Sequence, residues 1–188
     1  SGIRAYEVRA EAFVARGGEL GDFDASWAHV VAGDARVVLI GGEPGIGKTR
    51  LVAEMAARAH ATGGVVVAGR CDADLGGPYQ PVVEALTAFM ADCPPERLRA
   101  LLGELGAELT RLVPELSARC DGMAGPAAAD PETERARLFD AVGGWLREVG
   151  RAAPVLLVLD DLHWAKAPTV SLLRSLAQRG LPRVMIVG

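Results

Sequence analysis

The stretch GGEPGIGKTR, residues 41–50, decides the fold class of this chain. It satisfies the pattern GxxxxGK[ST] through Gly42, Gly47, Lys48 and Thr49. In such a loop, small residues let backbone N–H groups surround phosphate oxygens, and the helix that follows adds the partial positive charge of its N-terminus. Lys48 would reach the β- and γ-phosphates, and the Thr49 hydroxyl would bind Mg²⁺. The stretch therefore predicts a site for a nucleotide and Mg²⁺.

The segments that flank this loop have the patterns of a buried strand and a helix. The run RVVLI (36–40) is apolar and rich in β-branched residues, and KTRLVAEMAARAHA (48–61) carries apolar residues at helical spacing. Further apolar runs predict strands at 65–71, 155–161 and 183–188, with a helix at 167–180. Strands that alternate with helices indicate a mainly parallel sheet with helices on both faces, the three-layer α/β/α class.

Residues 79–150 are too long for a simple alternation of strands and helices. Asp130 and Pro131 have the pattern of an N-cap and a first helical residue. A leucine stripe with helical spacing predicts a core-facing helix before them, at Leu98, Leu101, Leu102, Leu105, Leu109 and Leu112. We therefore predict one nucleotide-binding core over 1–188, with a helical insertion at 79–150 between the second and third strands.

The run VLLVLDD (155–161) supplies two acidic residues at the carboxyl end of a predicted buried strand. Asp160 would lie next to the phosphate loop and hold the Mg²⁺ shell. Asp161 is the better candidate to orient or deprotonate an attacking water. An apolar run that ends in two acids is a weak signal alone, but together with the phosphate loop it indicates nucleotide hydrolysis.

The composition excludes several function classes. The chain has 188 residues, a formal net charge of −4 and no apolar run near the ~18 residues of a membrane span. The acidic balance argues against a dedicated nucleic-acid surface. Three widely spaced cysteines without a CxxC pair indicate reduced thiols in the cytoplasm. Because the chain contains no Asn, it lacks the guanine-reading NKxD motif, which disfavours a GTPase.

Three segments together resemble a known family: VVLIGGEPGIGKTRLVAE (37–54), GPYQPVVEAL (77–86) and VLLVLDDLHWA (155–165). They are similar to the signal-transduction P-loop ATPases called STAND. Within that class, they most resemble the ATPase domain of large ATP-binding transcriptional regulators of the LuxR type. The resemblance runs from about Phe13 to the end of the chain. It implies an AAA-like P-loop NTPase core with a Walker A loop and a Walker B acidic pair.

The resemblance assigns the site residues. Lys48 and Asp161 would act in catalysis, and Thr49 and Asp160 would hold Mg²⁺. The residues that would bind ATP or ADP are Gly42, Glu43, Pro44, Gly45, Ile46, Gly47, Lys48, Thr49, Arg50 and Arg16. The adenine assignment for Arg16 comes from FVARGGEL (13–20), which is similar to the family's FVGRExEL but has Ala15 in place of Gly. A solvated loop cation is the alternative for Arg16.

The DDLHWA signature leaves two interpretations open. His163 either senses the γ-phosphate or is a packed histidine with Trp164 as a core anchor. Lys166 stands where the family has an acid, and it either changes a surface contact or is solvated. Tyr79 and Pro81 match the family's PYxP, which predicts the start of a helix.

The resemblance also implies segments beyond Gly188: a Thr-x-Arg segment that senses the γ-phosphate, a fifth strand, and a helical or winged-helix module. We therefore expect this chain to end before strand 5. The phosphate-loop strand would then lie at a sheet edge, where another chain or the segment IRAYEVRAEAFVAR (3–16) could pair with it. Arg50 and Arg70 lie near phosphate in the sequence, but neither spacing proves a contact.

These features predict an ATP-binding switch that hydrolyses ATP slowly, with Mg²⁺, in a cytoplasmic signal-transduction or transcriptional regulator. Hydrolysis by this chain should be weak or absent, because a γ-phosphate arginine contributes roughly 10³–10⁵ in turnover. The alternatives are a small-molecule P-loop kinase and a non-catalytic nucleotide-binding scaffold. Self-association, or C-terminal effector or DNA-binding modules, are the partners expected in a parent protein. We expect this chain itself to bind neither nucleic acid nor membrane.

Overall fold

The computed structural model of the chain describes residues 17–43, 45–73, 76–120 and 125–188. Within these residues, the centre of the molecule is a parallel sheet of four strands in the order β1-β4-β3-β2. The strands are β1 Ala35–Val38, β2 Val65–Arg70, β3 Val155–Asp160 and β4 Val184–Val187. The expected α/β class with a parallel sheet is confirmed.

Helices precede, connect and flank the strands. Helix α1 precedes β1, α2 connects β1 to β2, and α8 connects β3 to β4. Helices α3 to α7 all lie between β2 and β3, where the helical insertion was predicted. The bounds are α1 Gly17–Ala32, α2 Lys48–Ala61, α3 Gln80–Asp92, α4 Pro95–Leu102, α5 Leu105–Leu109, α6 Leu116–Arg119, α7 Pro131–Ala152 and α8 Ala167–Arg179.

Both faces of the sheet are buried, which explains the continuous apolar runs of its inner strands. Successive side chains of a strand point to opposite faces. Leu156 and Val158 therefore pack in the cluster formed with α1 and α2. Leu157 and Leu159 pack on the other side, in the larger cluster formed with α3 to α8. The sheet thus separates a small two-helix layer from a thicker layer that contains the insertion.

The predicted strands are slightly longer than the observed ones, although the ladder of hydrogen bonds extends past the observed ends. The Ile40 N–H donates to the Gly188 carbonyl at 2.7 Å, and the Gly188 N–H donates to Val38 at 3.0 Å. Cys71, placed in the second strand by the sequence, donates its N–H to the Asp160 carbonyl at 3.0 Å. The parallel pairing therefore continues to the point where the loops of the candidate site begin.

Helix α1 was not predicted from the sequence. Its buried residues are Leu20, Phe23, Trp27 and Val30, whose spacing of three, four and three is that of a helix face. Trp27 stacks on Phe23 and donates its indole N–H to the Thr62 hydroxyl at 2.8 Å. This contact ties α1 to the end of α2, the helix that begins in the phosphate loop.

The predicted leucine stripe divides between α4, α5 and the turn that follows α5, instead of forming one helix. Gly103 has φ +47 and ψ −129, so α4 ends at Leu102 and α5 begins at Leu105. Among the six leucines, Leu98, Leu102 and Leu109 are buried, and the other three pack at the edge of the same cluster. The stripe does face the core, but a glycine in a conformation that other residues avoid interrupts the helix.

The N-cap predicted at Asp130 is confirmed. Its carboxylate accepts hydrogen bonds from the N–H groups of Glu132 at 3.1 Å and Thr133 at 3.0 Å. The Thr133 hydroxyl adds a bond of 2.6 Å, and Pro131 occupies the first turn of α7. These hydrogen bonds lower the pKa of Asp130, with the Thr133 hydroxyl as the largest cause.

Strand β1 forms one edge of the sheet, because within the described residues it pairs with β4 alone. Val37 and Leu39 of this edge are exposed. The pairing predicted for residues 3–16 lies outside the described residues.

None of the described helices is long and apolar enough to cross a membrane.

Candidate functional site

The phosphate loop joins β1 to α2 and depends on glycine conformations. Gly45 has φ +79 and Gly47 has φ +92, values that residues with a side chain rarely adopt. The Leu51 N–H donates to the Gly47 carbonyl at 3.0 Å, which forms the first turn of α2. The loop therefore delivers its backbone directly into the N-terminus of a 14-residue helix.

Lys48 bonds across the loop that contains it. Its Nζ donates to the Gly42 carbonyl at 2.6 Å and to the Glu43 carbonyl at 3.0 Å. Both acceptors are neutral oxygens, so these contacts leave the positive charge of Lys48 uncompensated. An ammonium group fixed at the mouth of a glycine loop and at a helix N-terminus is an arrangement that attracts phosphate.

Thr49 and Asp160 come together from distant parts of the chain. The Thr49 hydroxyl lies 3.5 Å from Asp160 Oδ2, although the two residues are 111 positions apart. Asp160 is the last residue of β3, and Thr49 is in the first turn of α2. A hydroxyl and a carboxylate are oxygen ligands of the kind that Mg²⁺ prefers. The donor set therefore fits the Mg²⁺ ion that the phosphate loop implies.

Asp161 begins a sharp turn after β3. Its backbone is left-handed, with φ 55 and ψ 40, a conformation that Asp tolerates better than most residues with a side chain. The Asp161 N–H donates to Asp160 Oδ1 at 2.9 Å, and the Asp161 carbonyl accepts the Trp164 N–H at 2.9 Å. The chain thus turns into a single 3-10 turn, Leu162–Trp164.

Arg70 contacts Asp161, a contact that the sequence did not reveal. Arg70 Nε donates to Asp161 Oδ2 at 2.8 Å, and a terminal guanidinium nitrogen of Arg70 lies 2.7 Å from the same oxygen. The parallel register pairs Arg70 with Asp160, so the ends of β2 and β3 are adjacent. This register is the signal that could have found the pair, because strands that are neighbours in a parallel sheet end at the same edge.

The insertion reaches the site through α3. Glu84 Oε2 accepts the Arg70 backbone N–H at 2.8 Å, and Glu84 Oε1 accepts from Gln80 Nε2 at 3.0 Å. Gln80 in turn accepts the Asp72 N–H at 3.2 Å. Two side chains of α3 thus hold the backbone where β2 ends.

Cys71 is buried between these acids. Burial raises the pKa of the Cys71 thiol, and the negative charges of Asp161, Glu84 and Asp160 raise it further, in that order. The thiol is therefore neutral at physiological pH and acts as a small buried apolar group. It is free, as are the buried Cys93 and Cys120.

His163 and Trp164 do not form a core anchor, which corrects one of their two interpretations. Trp164 is 52% exposed, and the His163 side chain is 63% exposed. Their rings tilt against each other with centroids 4.9 Å apart, and His163 Nδ1 lies 3.9 Å from Asp161 Oδ1. His163 is therefore beside the candidate catalytic carboxylate, while its proposed contact with a γ-phosphate stays a prediction.

The structure describes all but two of the remaining residues that were predicted from the sequence. Tyr79 immediately precedes α3 with Pro81 in the first helical turn, so the predicted helix start is confirmed. Lys166 precedes α8 and is exposed, as expected for a solvated lysine.

Arg50 lies in the first turn of α2, and Ile46 is exposed in the loop. Arg16 and Pro44 lie outside the described residues.

Comparison with known proteins agrees with this geometry. The family model named AAA ATPase domain matches residues 12–187. An uncharacterized protein of Rhizobium meliloti (strain 1021) is 27% identical over an alignment of 181 residues, and the match covers 87% of this chain. The chain spans 17% of the length of that relative. No solved structure matches the chain.

Proposed function

This chain belongs to the AAA ATPase domain family, and on that premise we propose that it is an ATP-binding domain that hydrolyses ATP slowly with Mg²⁺. We further propose that it acts as a nucleotide-dependent switch in a larger signal-transduction or transcriptional regulator. The observation that carries the proposal is the position of Lys48, whose ammonium group bonds to two neutral carbonyls of the phosphate loop while Thr49 meets Asp160. Self-association, or further effector modules in the parent protein, would transmit the change between nucleotide states.

The residues have separate roles in this proposal. Backbone N–H groups of the loop and Lys48 bind the phosphates, with Lys48 giving up bonds to two carbonyls for bonds to charged oxygens. Thr49 and Asp160 would hold Mg²⁺, which would supply positive charge at the phosphates. Asp161 orients the attacking water or accepts its proton. These assignments are those made from the sequence, and the geometry supports them by bringing Thr49 to Asp160.

Slow turnover is the part of the proposal that suits a switch. A domain that keeps a bound nucleotide for a long time can report which nucleotide is bound, because each nucleotide makes different contacts in the two conformations.

The test is a titration of ATP with Mg²⁺ into the chain, its Lys48→Ala variant and its Lys166→Ala variant. Loss of charge-assisted hydrogen bonds at Lys48 should weaken binding by about 1.5–3 kcal/mol, roughly 10- to 150-fold. Lys166 is the matched control, because it is the other lysine of the chain and is exposed before α8. Equal affinities for the two variants would overturn the assignment of the phosphate loop.

Phosphate release that equals ATP loss would distinguish hydrolysis from transfer to a small-molecule acceptor.

A further inference from the structure

The β1 edge, residues 35–40, directs one row of backbone hydrogen-bonding groups away from the sheet. The groups that point to β4 belong to even-numbered residues: the Val38 carbonyl accepts the Gly188 N–H at 3.0 Å, and the Ile40 N–H donates to the Gly188 carbonyl at 2.7 Å. Successive residues of a strand direct these groups to opposite sides. The residues that direct their N–H and C=O groups away from β4 are therefore Ala35, Val37 and Leu39.

The same outward-directed residues carry apolar side chains. Val37 is 49% exposed and Leu39 is 74% exposed. Val37 is in register with Ile186, so these side chains lie on the face of the sheet that carries α8. An apolar cavity of about 120 Å³, the edge groove, lies on that face between β1 and α8. Its lining includes Ala35, Val37, Leu176, Leu181 and Ile186.

The β1 edge lacks the features that commonly prevent strands from pairing. Natural edge strands are protected by Lys, Pro, bulges or inward-pointing charges. Residues 35–40 contain no Lys, Pro or acid, and their one charged residue is Arg36. Arg36 Nη2 lies 3.0 Å from Asp34 Oδ2, next to the edge in the chain. This local ion pair compensates the charge of Arg36, so two copies of the edge can approach each other.

We propose that β1 pairs with β1 of a second copy of this chain, antiparallel and about a two-fold axis at Val37. This register uses all the outward-directed residues, because Val37 lies opposite Val37 and Ala35 lies opposite Leu39. Each of these pairs exchanges two hydrogen bonds. Both copies use the same edge, so assembly stops at the dimer. The two four-stranded sheets thereby form one continuous sheet.

The side chains fit the register that the backbone determines. Residues opposite each other in antiparallel strands have their side chains on the same face, with Cβ atoms about 4.5–5.5 Å apart. Leu39 of the second copy therefore lies beside Ala35, at the edge groove, and the reverse holds for the other groove. The dimer buries two leucine side chains that the single chain exposes. A second copy thus supplies both the strand and the side chain that this edge fits.

The proposed interface is small and lies apart from the nucleotide site. A pair of six-residue edges buries less than the about 1,200–2,000 Å² of a stable interface. We therefore expect half of the chains to be dimeric at a concentration on the order of 100 µM. The two β1 strands run in opposite directions, so the phosphate loops lie at opposite ends of the joined sheet. The interface therefore does not depend on the proposed function.

The first test is sedimentation equilibrium of the chain and of its Leu39→Lys and Ala91→Lys variants. Ala91→Lys is the control, because Ala91 is exposed on α3, which packs over β2 at the other edge of the sheet. The chain should form dimers, and Leu39→Lys should weaken them at least about tenfold. Ala91→Lys should leave them unchanged. A monomer at every concentration, an assembly larger than a dimer, or equal dimerisation of the two variants overturns the proposal.

Disulfide crosslinking tests the register. Val37→Cys places the two introduced thiols on the two-fold axis, where the Cα atoms are about 5.5 Å apart and within reach of a disulfide. Leu39→Cys is the control, because four residues, about 13 Å of strand, separate the two copies of that position. The native cysteines are buried. A mild disulfide-forming oxidant should link Val37→Cys into a covalent dimer and leave Leu39→Cys monomeric on denaturing gels. Absent crosslinking of Val37→Cys, or equal crosslinking of both variants, contradicts the register.

A nucleotide titration separates this interface from the proposed function. The unmodified chain and Lys48→Ala should dimerise equally, with or without ATP and Mg²⁺, because the interface leaves both phosphate loops outside it. A dimer that forms only with ATP would place the contact at the phosphate loop and overturn the proposal. Loss of ATP binding with an unchanged dimer would contradict the proposed function alone.

Discussion

The phosphate loop and the acidic end of β3 are held in different ways. Lys48 bonds to Gly42 and Glu43, which are six and five positions away. Asp161 is held by Arg70, which is 91 positions away, and Arg70 is held in turn from α3. One half of the candidate site is therefore organised by its own short segment, and the other half by the packing of the insertion.

This difference predicts that nucleotide affinity and ATP turnover respond to different variants. Contacts within a short segment form as soon as β1 and α2 are in place, so affinity for phosphate should survive changes elsewhere. Contacts across the sheet depend on the register of β2 with β3 and on the position of α3. Variants at Asp161, or at the residues that hold Asp161, should therefore change turnover or stability and leave nucleotide affinity intact.

The largest effect at the acidic end is expected for Asp161→Asn. Loss of the group that orients or deprotonates water should lower steady-state ATP turnover on the order of 10²-fold, the scale of general-base catalysis. Affinity should be retained, because the amide leaves the phosphate loop untouched. Asp140→Asn is the control, since Asp140 also pairs with an arginine, Arg179, but on α7 and α8. Unchanged turnover in Asp161→Asn would remove Asp161 as the water-directing residue.

Gly69→Ala tests whether the insertion must approach β2 closely. The added Cβ meets a backbone oxygen, Pro81 O, so α3 must move and the free energy of unfolding should fall by about 1–3 kcal/mol. Denaturant unfolding measures the change. Gly77→Ala is the control, because Gly77 lies between β2 and α3 and a Cβ added there meets nothing within 4 Å. If Gly69→Ala protein is folded but has lost its affinity for ATP, the two halves of the site are not independent of each other.

The smallest effect is expected at the N-cap of α7, far from the loop in the chain. Because hydrogen bonds lower the pKa of folded Asp130 below its ordinary value of 3.8, the cap stabilises the fold above that pH. Its contribution is lost as the pH falls through the lowered pKa. Asp130→Ala should therefore lower the melting temperature at pH 7, and the difference from wild type should shrink below about pH 4.

Asp130→Asn provides the control for that pH dependence. Asn is a comparable N-cap and does not titrate, so this variant should melt close to the wild type at neutral pH. It should also keep its stability relative to Asp130→Ala as the pH falls. A difference between wild type and Asp130→Ala that is constant from pH 7 to pH 3 would contradict the assignment of the cap.

Much of the fold follows from local patterns in the sequence. The helix predicted over 48–61 is observed as Lys48–Ala61, because the loop glycines determine its start and the glycine pair after Thr62 its end. The strands were predicted from apolar runs, since both faces of the sheet are buried. Patterns of this kind need no knowledge of the tertiary fold.

The remaining features depend on contacts that local patterns do not contain. Helix α1 has a regular apolar face, but its surface is interrupted by glycines and acids that weaken the helical signal. The break at Gly103 depends on a backbone conformation and not on the leucine spacing. The Arg70–Asp161 pair follows only from the strand order, in which β2 is next to β3. Sequence alone located the candidate residues of the site and missed what holds one of them.

The most direct measurement is one ATP titration, with Mg²⁺, carried out in parallel on Lys48→Ala and Asp161→Asn. The account predicts that Lys48→Ala weakens binding roughly 10- to 150-fold, whereas Asp161→Asn binds as tightly as the unmodified chain. Equal losses in both variants would show that the two halves of the site act as one. Equal retention would show that ATP binding does not need Lys48, which would contradict the central claim.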